Sequence, residues 1–288
     1  KAEELRRVHE MAQAFFHNCL TKTHYGDAAK AYLAGRGIDA SIIEAFGIGC
    51  APPAWDKLAV AFQKRGVPPA LLEESGLVTK RQKSDGYYDR FRDRAIIPIR
   101  DARGRVVAFG GRILSSGEPK YLNSPETLIF NKRRLLFGLD RAHRAIARAG
   151  FAVVVEGYMD AISVAAAGIE NVVASLGTAF TAEQARLLLR YAPELRFCYD
   201  SDAAGQDATL RALAVARDAG AAVKVLRVPD GKDPDEYIRK YGKEAFQTLI
   251  EAALPYVEYR MMRVLDAADK ESLQGRLDAL SSLLPVFA

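Results

Sequence analysis

At 288 residues, 49% hydrophobic and 9% aromatic, the chain has the composition of a folded protein with two domains, or one domain with appendages. It contains no run of about 18 uncharged apolar residues, which excludes a transmembrane helix, and its charged start, Lys1-Ala-Glu-Glu-Leu-Arg-Arg, reads as a helix and not as a signal peptide. Three widely spaced cysteines, Cys19, Cys50 and Cys198, support neither a disulfide framework nor a zinc site, and point to a reducing, cytosolic compartment.

In chain order, apolar residues at helical spacing from Leu5 to Phe16 predict an amphipathic helix over 2–20. A second helix is expected from Asp27, as N-cap, to Gly35, and a third from Asp39 to Phe46, stopped by Gly47. Two short helices follow over 55–66 and 68–76. The period then changes: 95–114 reads as two strands joined by an Asp-Ala-Arg-Gly turn, and 115–131 as a turn-rich loop. From Gly150 strands near 152–155, 172–175, 196–199 and 223–228 alternate with helices near 159–167, 182–191, 204–219 and 234–252. That alternation predicts an α/β unit with a parallel sheet and right-handed crossovers. The tail from Pro255 is helical. The expected units are 1–134, a basic α+β part; 135–252, the α/β part; and 253–288, a helical part.

The net charge of +5 is unevenly spread: 1–79 is neutral, 80–148 holds 17 Lys/Arg against 7 Asp/Glu, and 149–288 holds 15 against 20. A basic segment feeding an acidic one suits a polyanion gripped beside a metal site, although a solvated arginine-rich surface would give the same count.

The acids are the informative part. Phe151-Ala-Val-Val-Val runs into Glu156-Gly157-Tyr158-Met159-Asp160; Leu195-Arg-Phe-Cys-Tyr runs into Asp200-Ser-Asp202-Ala-Ala-Gly205; and Val223-Lys-Val-Leu-Arg-Val runs into Pro-Asp230-Gly-Lys-Asp233-Pro-Asp235. An apolar run, a carboxylate and a Gly-containing turn is how a parallel sheet presents acids at its C-terminal edge. Glu156, Asp200, Asp202 and Asp233 would meet at one mouth, with Asp160 a helical turn from Glu156 and Asp235 near Asp233. Hard oxygen ligands of this kind suit Mg²⁺ or Mn²⁺. Taken singly, Asp202, Asp233 and Asp235 could instead be acids at helix N-termini. Gly205 is expected to leave room for phosphates at a helix N-terminus.

The Val-Val-Val-Glu156-Gly-Tyr-Met-Asp160 and Tyr-Asp200-Ser-Asp202-Ala-Ala-Gly205 segments resemble the Toprim signature of bacterial primases, topoisomerases and some nucleases. Ala31-Tyr-Leu-Ala-Gly-Arg36-Gly37, Arg90-Phe-Arg92-Asp-Arg94, Phe109-Gly-Gly-Arg112 and Lys120-Tyr-Leu-Asn123-Ser-Pro-Glu-Thr127 resemble the RNA polymerase core of DnaG-type primases, in the same order. The resemblance implies a Toprim-type sheet flanked by helices and a DNA-dependent RNA polymerase that makes primers on single-stranded DNA from ribonucleoside triphosphates.

It further implies two or more Mg²⁺ or Mn²⁺ ions on Glu156, Asp160, Asp200, Asp202, Asp233 and Asp235, with Glu156, Asp200 and Asp202 catalytic and Glu156 either a further ligand or the group that manages the proton. Arg36, Arg92, Arg94, Arg112, Lys120, Tyr121, Asn123 and Lys132 would hold template or nucleotide. For Arg92 and Arg94 a salt bridge to Asp89 or Asp93 is the alternative, and for Arg36 a simple helix end. Such primases also carry a zinc-binding module and a helicase-docking domain. Neither is in this chain, so a catalytic core with weak initiation is expected, a monomer acting in the bacterial cytoplasm at the replication fork. A Toprim nuclease or topoisomerase fragment and a non-catalytic single-strand-binding module are the competing readings. The first has no need of the Lys120–Thr127 segment, and the second leaves the six acids unexplained.

Overall fold

The structure, a computed structural model, describes residues 1–82, 85–200, 203–229 and 233–287. Helices α1 (Ala2–Lys22), α2 (Asp27–Ala34) and α3 (Ala40–Phe46) open the chain, followed by strand β1 (Gly49–Ala51) and helices α4 (Lys57–Gln63) and α5 (Pro69–Glu74). Strands β2 (Val78–Lys80) and β3 (Tyr87–Asp89) pair as a small hairpin. The long strands β4 (Arg94–Arg100) and β5 (Val106–Ile113) then form an antiparallel sheet of order β1-β4-β5-β6, with β6 (Tyr121–Asn123) at its edge.

After α6 (Leu139–Ala149) comes a second sheet. Its strands are β7 (Phe151–Val155), β8 (Val172–Ala174), β9 (Glu194–Cys198), β10 (Ala222–Val225) and β11 (Leu254–Pro255), ordered β11-β10-β9-β7-β8. The first four are mutually parallel, and the two-residue β11 is antiparallel to β10. Helices α7 (Tyr158–Ala166), α8 (Ala182–Leu188), α9 (Ala203–Asp218) and α10 (Pro234–Glu251) are the crossovers, and α11 (Tyr256–Ala267) and α12 (Leu273–Phe287) close the chain.

Val153 and Val155 face one core while Ala152 and Val154 face another. Burial on both faces is why β7 reads as a continuous apolar run and not as an alternating one. Each such valine contributes about 1.5–3 kcal/mol. The first core also contains Leu33, Ile48, Ile97, Ile99 and Val107, so the antiparallel and parallel sheets share one apolar interior. A third cluster, with Phe16, Phe62, Phe91 and Phe109, packs α1 and α4 on the other side of the antiparallel sheet. The Tyr158 ring, at the start of the first crossover helix, lies over Gly110 of β5: a Cβ there would stand 2.6 Å from the ring, so only glycine fits.

The expected elements differ from the structure in identifiable places. Gly26, not Asp27, occupies the cap of α2, because a 3-10 turn over His24–Gly26 has already brought the backbone to helical angles. Asp39 does cap α3, accepting from Ile42 N at 3.0 Å. The expected loop 115–131 contains β6, whose pairing with Gly110–Arg112 brings Tyr121–Asn123 to the sheet edge. Helix α6 was not foreseen; its Leu139, Ala142, Ala145 and Ile146 are buried. All three cysteines are buried and free.

Candidate active site

The site lies between the C-terminal edge of the parallel sheet and the β6 edge of the antiparallel one. Glu156 follows β7 directly, Asp200 lies two residues beyond β9, Asp160 is in the first turn of α7, and Asp233 caps α10. All four line one cleft of about 260 Å³ together with Arg36, Lys120, Tyr121 and Asn123. Acids and bases expected from segments 197 residues apart (Arg36 to Asp233) therefore meet at one mouth.

Local structure fixes each acid. Asp160 Oδ2 accepts from Gly157 N at 3.2 Å, and Asp233 Oδ1 accepts from Glu236 N at 2.7 Å. The cap reading and the site reading of Asp233 thus coexist in one side chain. Burial, then the negative charge of Asp233, Asp200 and Asp235, pushes Asp160 up to about 8. Three carboxylates acting on a buried fourth mark a place where positive charge is missing. Every donor among them is an oxygen, which fits a hard divalent cation and not zinc. Among the described residues no three of these acids gather tightly enough to be a closed ligand set by themselves. Asp202 lies outside the described residues.

Asp235 does not face this mouth. It is 1% exposed, accepts from Ser163 Oγ at 2.5 Å, and is bridged by Arg36 at 2.5 Å and Arg239 at 3.2 Å. In this structure its carboxylate is held as an internal clasp by Ser163, Arg36 and Arg239, and it does not line the cleft. Gly205 also has a different role from the expected phosphate clearance. A Cβ there would sit 2.3 Å from Asp200 O, so glycine lets α9 begin against the backbone that carries Asp200.

On the basic side, Arg36 stacks over Tyr32 at 5.3 Å while it holds Asp235. Burial would weaken its charge, but Tyr32, Asp235, Tyr121 and Asp233 outweigh that and raise its pKa. Arg112 lies over Tyr32 and Tyr121, 5.4 Å from each ring, at the margin of the cleft. Lys120 Nζ is 5.7 Å from the Tyr121 ring, and burial pushes the Tyr121 hydroxyl up to about 12. Asn123 donates from Nδ2 to Leu176 O at 3.0 Å, and its buried Oδ1 has no hydrogen-bond partner among the described residues.

Three expected nucleotide or template residues are placed elsewhere. Arg94 is 5% exposed and donates to Gly111 O at 3.2 Å and Lys120 O at 3.4 Å, so it braces β6 from within. Arg92 donates to Asp89 O and stacks on Trp55 at 4.3 Å and Tyr88 at 5.2 Å, away from the acids. Neither makes the salt bridge to Asp89 or Asp93 weighed as the alternative, because Asp89 is taken up by Leu58 N and Ala59 N at the start of α4. Lys132 sits in a 3-10 turn whose carbonyl accepts from Gln184 Nε2, and it does not line the cleft.

Tyr158, Ser175 and Gly177 do line it and were given no role in advance. A strand end followed by glycine, Ser175-Leu-Gly177 after β8, was the available signal for the last two.

Acids at the C-terminal edge of a β8/β7/β9/β10 parallel sheet, with a basic antiparallel sheet closing over them, define a Toprim-bearing α/β protein. Residues 15–143 match the family model for the N-terminal domain of the DNA primase catalytic core, and 153–238 match the Toprim-like model. The DNA primase of Halalkalibacterium halodurans is 46% identical over 260 residues, covering 90% of this chain and 43% of that protein. That of Clostridium acetobutylicum is 44% identical over 278 residues, covering 96% and 46%. A DnaG primase catalytic domain bound to single-stranded DNA superposes with a TM-score of 0.85 at 39% identity, covering 99% of this chain and 92% of that one. The RNA polymerase domain of Mycobacterium tuberculosis DnaG gives 0.88 at 34%, covering 99% and 93%. The chain belongs to the family of DnaG-type primase catalytic cores. It spans less than half the length of the curated relatives it matches.

Proposed function

We propose that the chain is a DNA-dependent RNA polymerase core that joins ribonucleotides on a single-stranded DNA template to make primers. The observation that carries this reading is the single cleft in which Glu156, Asp160, Asp200 and Asp233 face Arg36, Lys120, Tyr121 and Asn123. Acids alone would serve a nuclease equally well. Acids opposite a cationic, aromatic and amide-bearing wall suit a nucleoside triphosphate, with phosphates on the cations, a base on the ring and an amide for its edge.

In this reading Glu156, Asp160, Asp200, Asp202 and Asp233 hold two Mg²⁺ or Mn²⁺ ions. Bound there, the ions would supply activation of the attacking 3′-hydroxyl and charge stabilisation at the departing pyrophosphate. Lys120 and Arg112 hold the triphosphate or template backbone, Arg36 is held ready at the rim by Asp235, and Tyr121 and Asn123 orient the nucleotide. Glu156, at the end of a rigid strand, takes the proton from the 3′-hydroxyl. We assign 1–134 to template and nucleotide grip, 135–252 to the metal-binding catalytic unit and 253–288 to a helical unit. The protein would work as a monomer in the bacterial cytoplasm at the replication fork, with start-site choice and helicase docking supplied by zinc-binding and helicase-binding domains.

The test is incorporation of labelled ribonucleotides on a single-stranded template with Mg²⁺ or Mn²⁺. Wild type makes short RNA, and Asp200→Asn and Glu156→Gln do not. Template degradation without RNA would establish the nuclease reading instead.

A further inference from the structure

Glu156, Ser175 and Gly177 line not one cavity but two. The second, of about 310 Å³, shares these three residues with the cleft but none of its basic ones. Its remaining wall includes Thr178, Phe180, Tyr199, Ala208, Arg211 and Ala212. Ser175 Oγ donates to Glu156 O at 3.1 Å, which fixes the partition between the two spaces.

The lining has the composition of a nucleotide site. Arg211 is exposed on α9, and among the described residues it has no ion-pair partner. Phe180 is buried and held edge-on against Phe197 at 5.1 Å, giving a rigid apolar wall. Ala208 and Ala212 keep the floor low. One hydroxyl closed to solvent, Thr178 Oγ1, makes no hydrogen bond among the described residues, while the Tyr199 hydroxyl faces Ser175. Buried hydroxyls in native proteins ordinarily have partners. A cation at the mouth, an apolar wall and an unmet hydroxyl suit a phosphate, a base and a ribose, respectively.

We propose that this cavity is the subsite of the acceptor nucleotide, the ribonucleotide whose 3′-hydroxyl is extended, while the cleft on the other side of Glu156 holds the incoming triphosphate. The inference rests on the polymerase reading and deepens it by dividing the two substrates. The acceptor's 3′-oxygen forms the new bond to the α-phosphorus, the bond from that phosphorus to the bridging oxygen breaks, and pyrophosphate departs with the electron pair. The hydroxyl proton passes to Glu156, which both cavities share.

The probe is the 5′-phosphorylated ribodinucleotide pApA on an oligo-dT template. It presents a 3′-hydroxyl and no triphosphate. Its affinity and that of ATP are measured separately for the full chain, for Arg211→Ala and for Ala208→Leu, which fills the cavity. Both variants should weaken pApA on the order of tenfold, the worth of one charge-assisted hydrogen bond, and leave ATP within about twofold. Wild-type pApA affinity in either variant, or an equal loss for ATP, overturns the assignment. A wild-type chain that binds pApA through Arg211 yet never extends it keeps the subsite and refutes the polymerase reading. Normal extension with both variants unaltered does the reverse.

Discussion

The basic segment and the acidic sheet edge use their charges in opposite ways. Residues 80–148 carry an excess of ten positive charges, yet many of their arginines are consumed internally. Arg90 donates to Asn123 O, Arg92 to Asp89 O, Arg94 to Gly111 O and Arg100 to Gly104 O, while Arg105 pairs with Asp101 at 2.6 Å. The guanidinium fork is well suited to such bracing, since it can satisfy several carbonyls at once. The acids of the parallel sheet do the contrary. Four of them stay on one cleft wall, where the charges of Asp233 and Asp200 add to burial in raising Asp160. Net charge in a sequence therefore measures a segment's capacity for charge, and the fold decides how much reaches a ligand.

The largest effect expected from this contrast is on chemistry. Glu156→Gln should lower RNA synthesis on the order of 10²–10⁴-fold, the worth of a positioned acid–base group, with the folded state unchanged by circular dichroism. Asp235→Asn should behave differently from its neighbour Asp233→Asn. Removing one member of a buried pair costs about 3–5 kcal/mol, so urea unfolding should detect Asp235→Asn strongly while Mn²⁺ affinity stays near wild type. Asp233→Asn should lose Mn²⁺ affinity with a much smaller loss of stability. If the two exchange these phenotypes, the clasp and the cleft have been misassigned.

Lys120→Ala should weaken template or triphosphate binding by roughly tenfold and leave metal affinity intact, whereas Arg94→Met should lower stability without altering the salt dependence of DNA binding. The smallest effect concerns Asp89. Burial pushes it up to about 6, against the opposing hydrogen bonds from Leu58 N and Ala59 N. A carboxyl whose pKa is higher folded than unfolded binds more protons in the native state. Stability should therefore decline as pH rises from about 4 to about 6, and Asp89→Leu should flatten that part of the profile.

Much of this was legible because it is written locally. A strand such as Val153–Val155 is buried on both sides and needs only its own residues to declare itself, and Glu156 inherits its position from that strand. Helix α6 was equally legible in the spacing of Leu139, Ala142, Ala145 and Ile146, but the arginines of this stretch, Arg133, Arg134 and Arg141 among them, suit a solvated basic face just as well. Three-residue strands such as β1, β2 and β6 are too short to show a period of two, so the arrival of Tyr121–Asn123 at the site could be inferred only from resemblance. The fates of Arg94 and Asp235 were illegible for another reason: each depends on partners distant in sequence, and no local pattern names them.

The Arg36–Asp235 clasp spans 199 residues of chain, and it sits beside the interior that the two sheets share. On the ribosome, at about 5–20 residues per second, roughly 10–40 s separate the emergence of its two ends. In the later part of that interval, once β4 and β5 are made, Ile97, Ile99 and Val107 wait for the parallel sheet to cover them. The cleft thus waits on both halves of the chain, and a nascent chain has no complete mouth in which to bind nucleotide until its synthesis has passed residue 235.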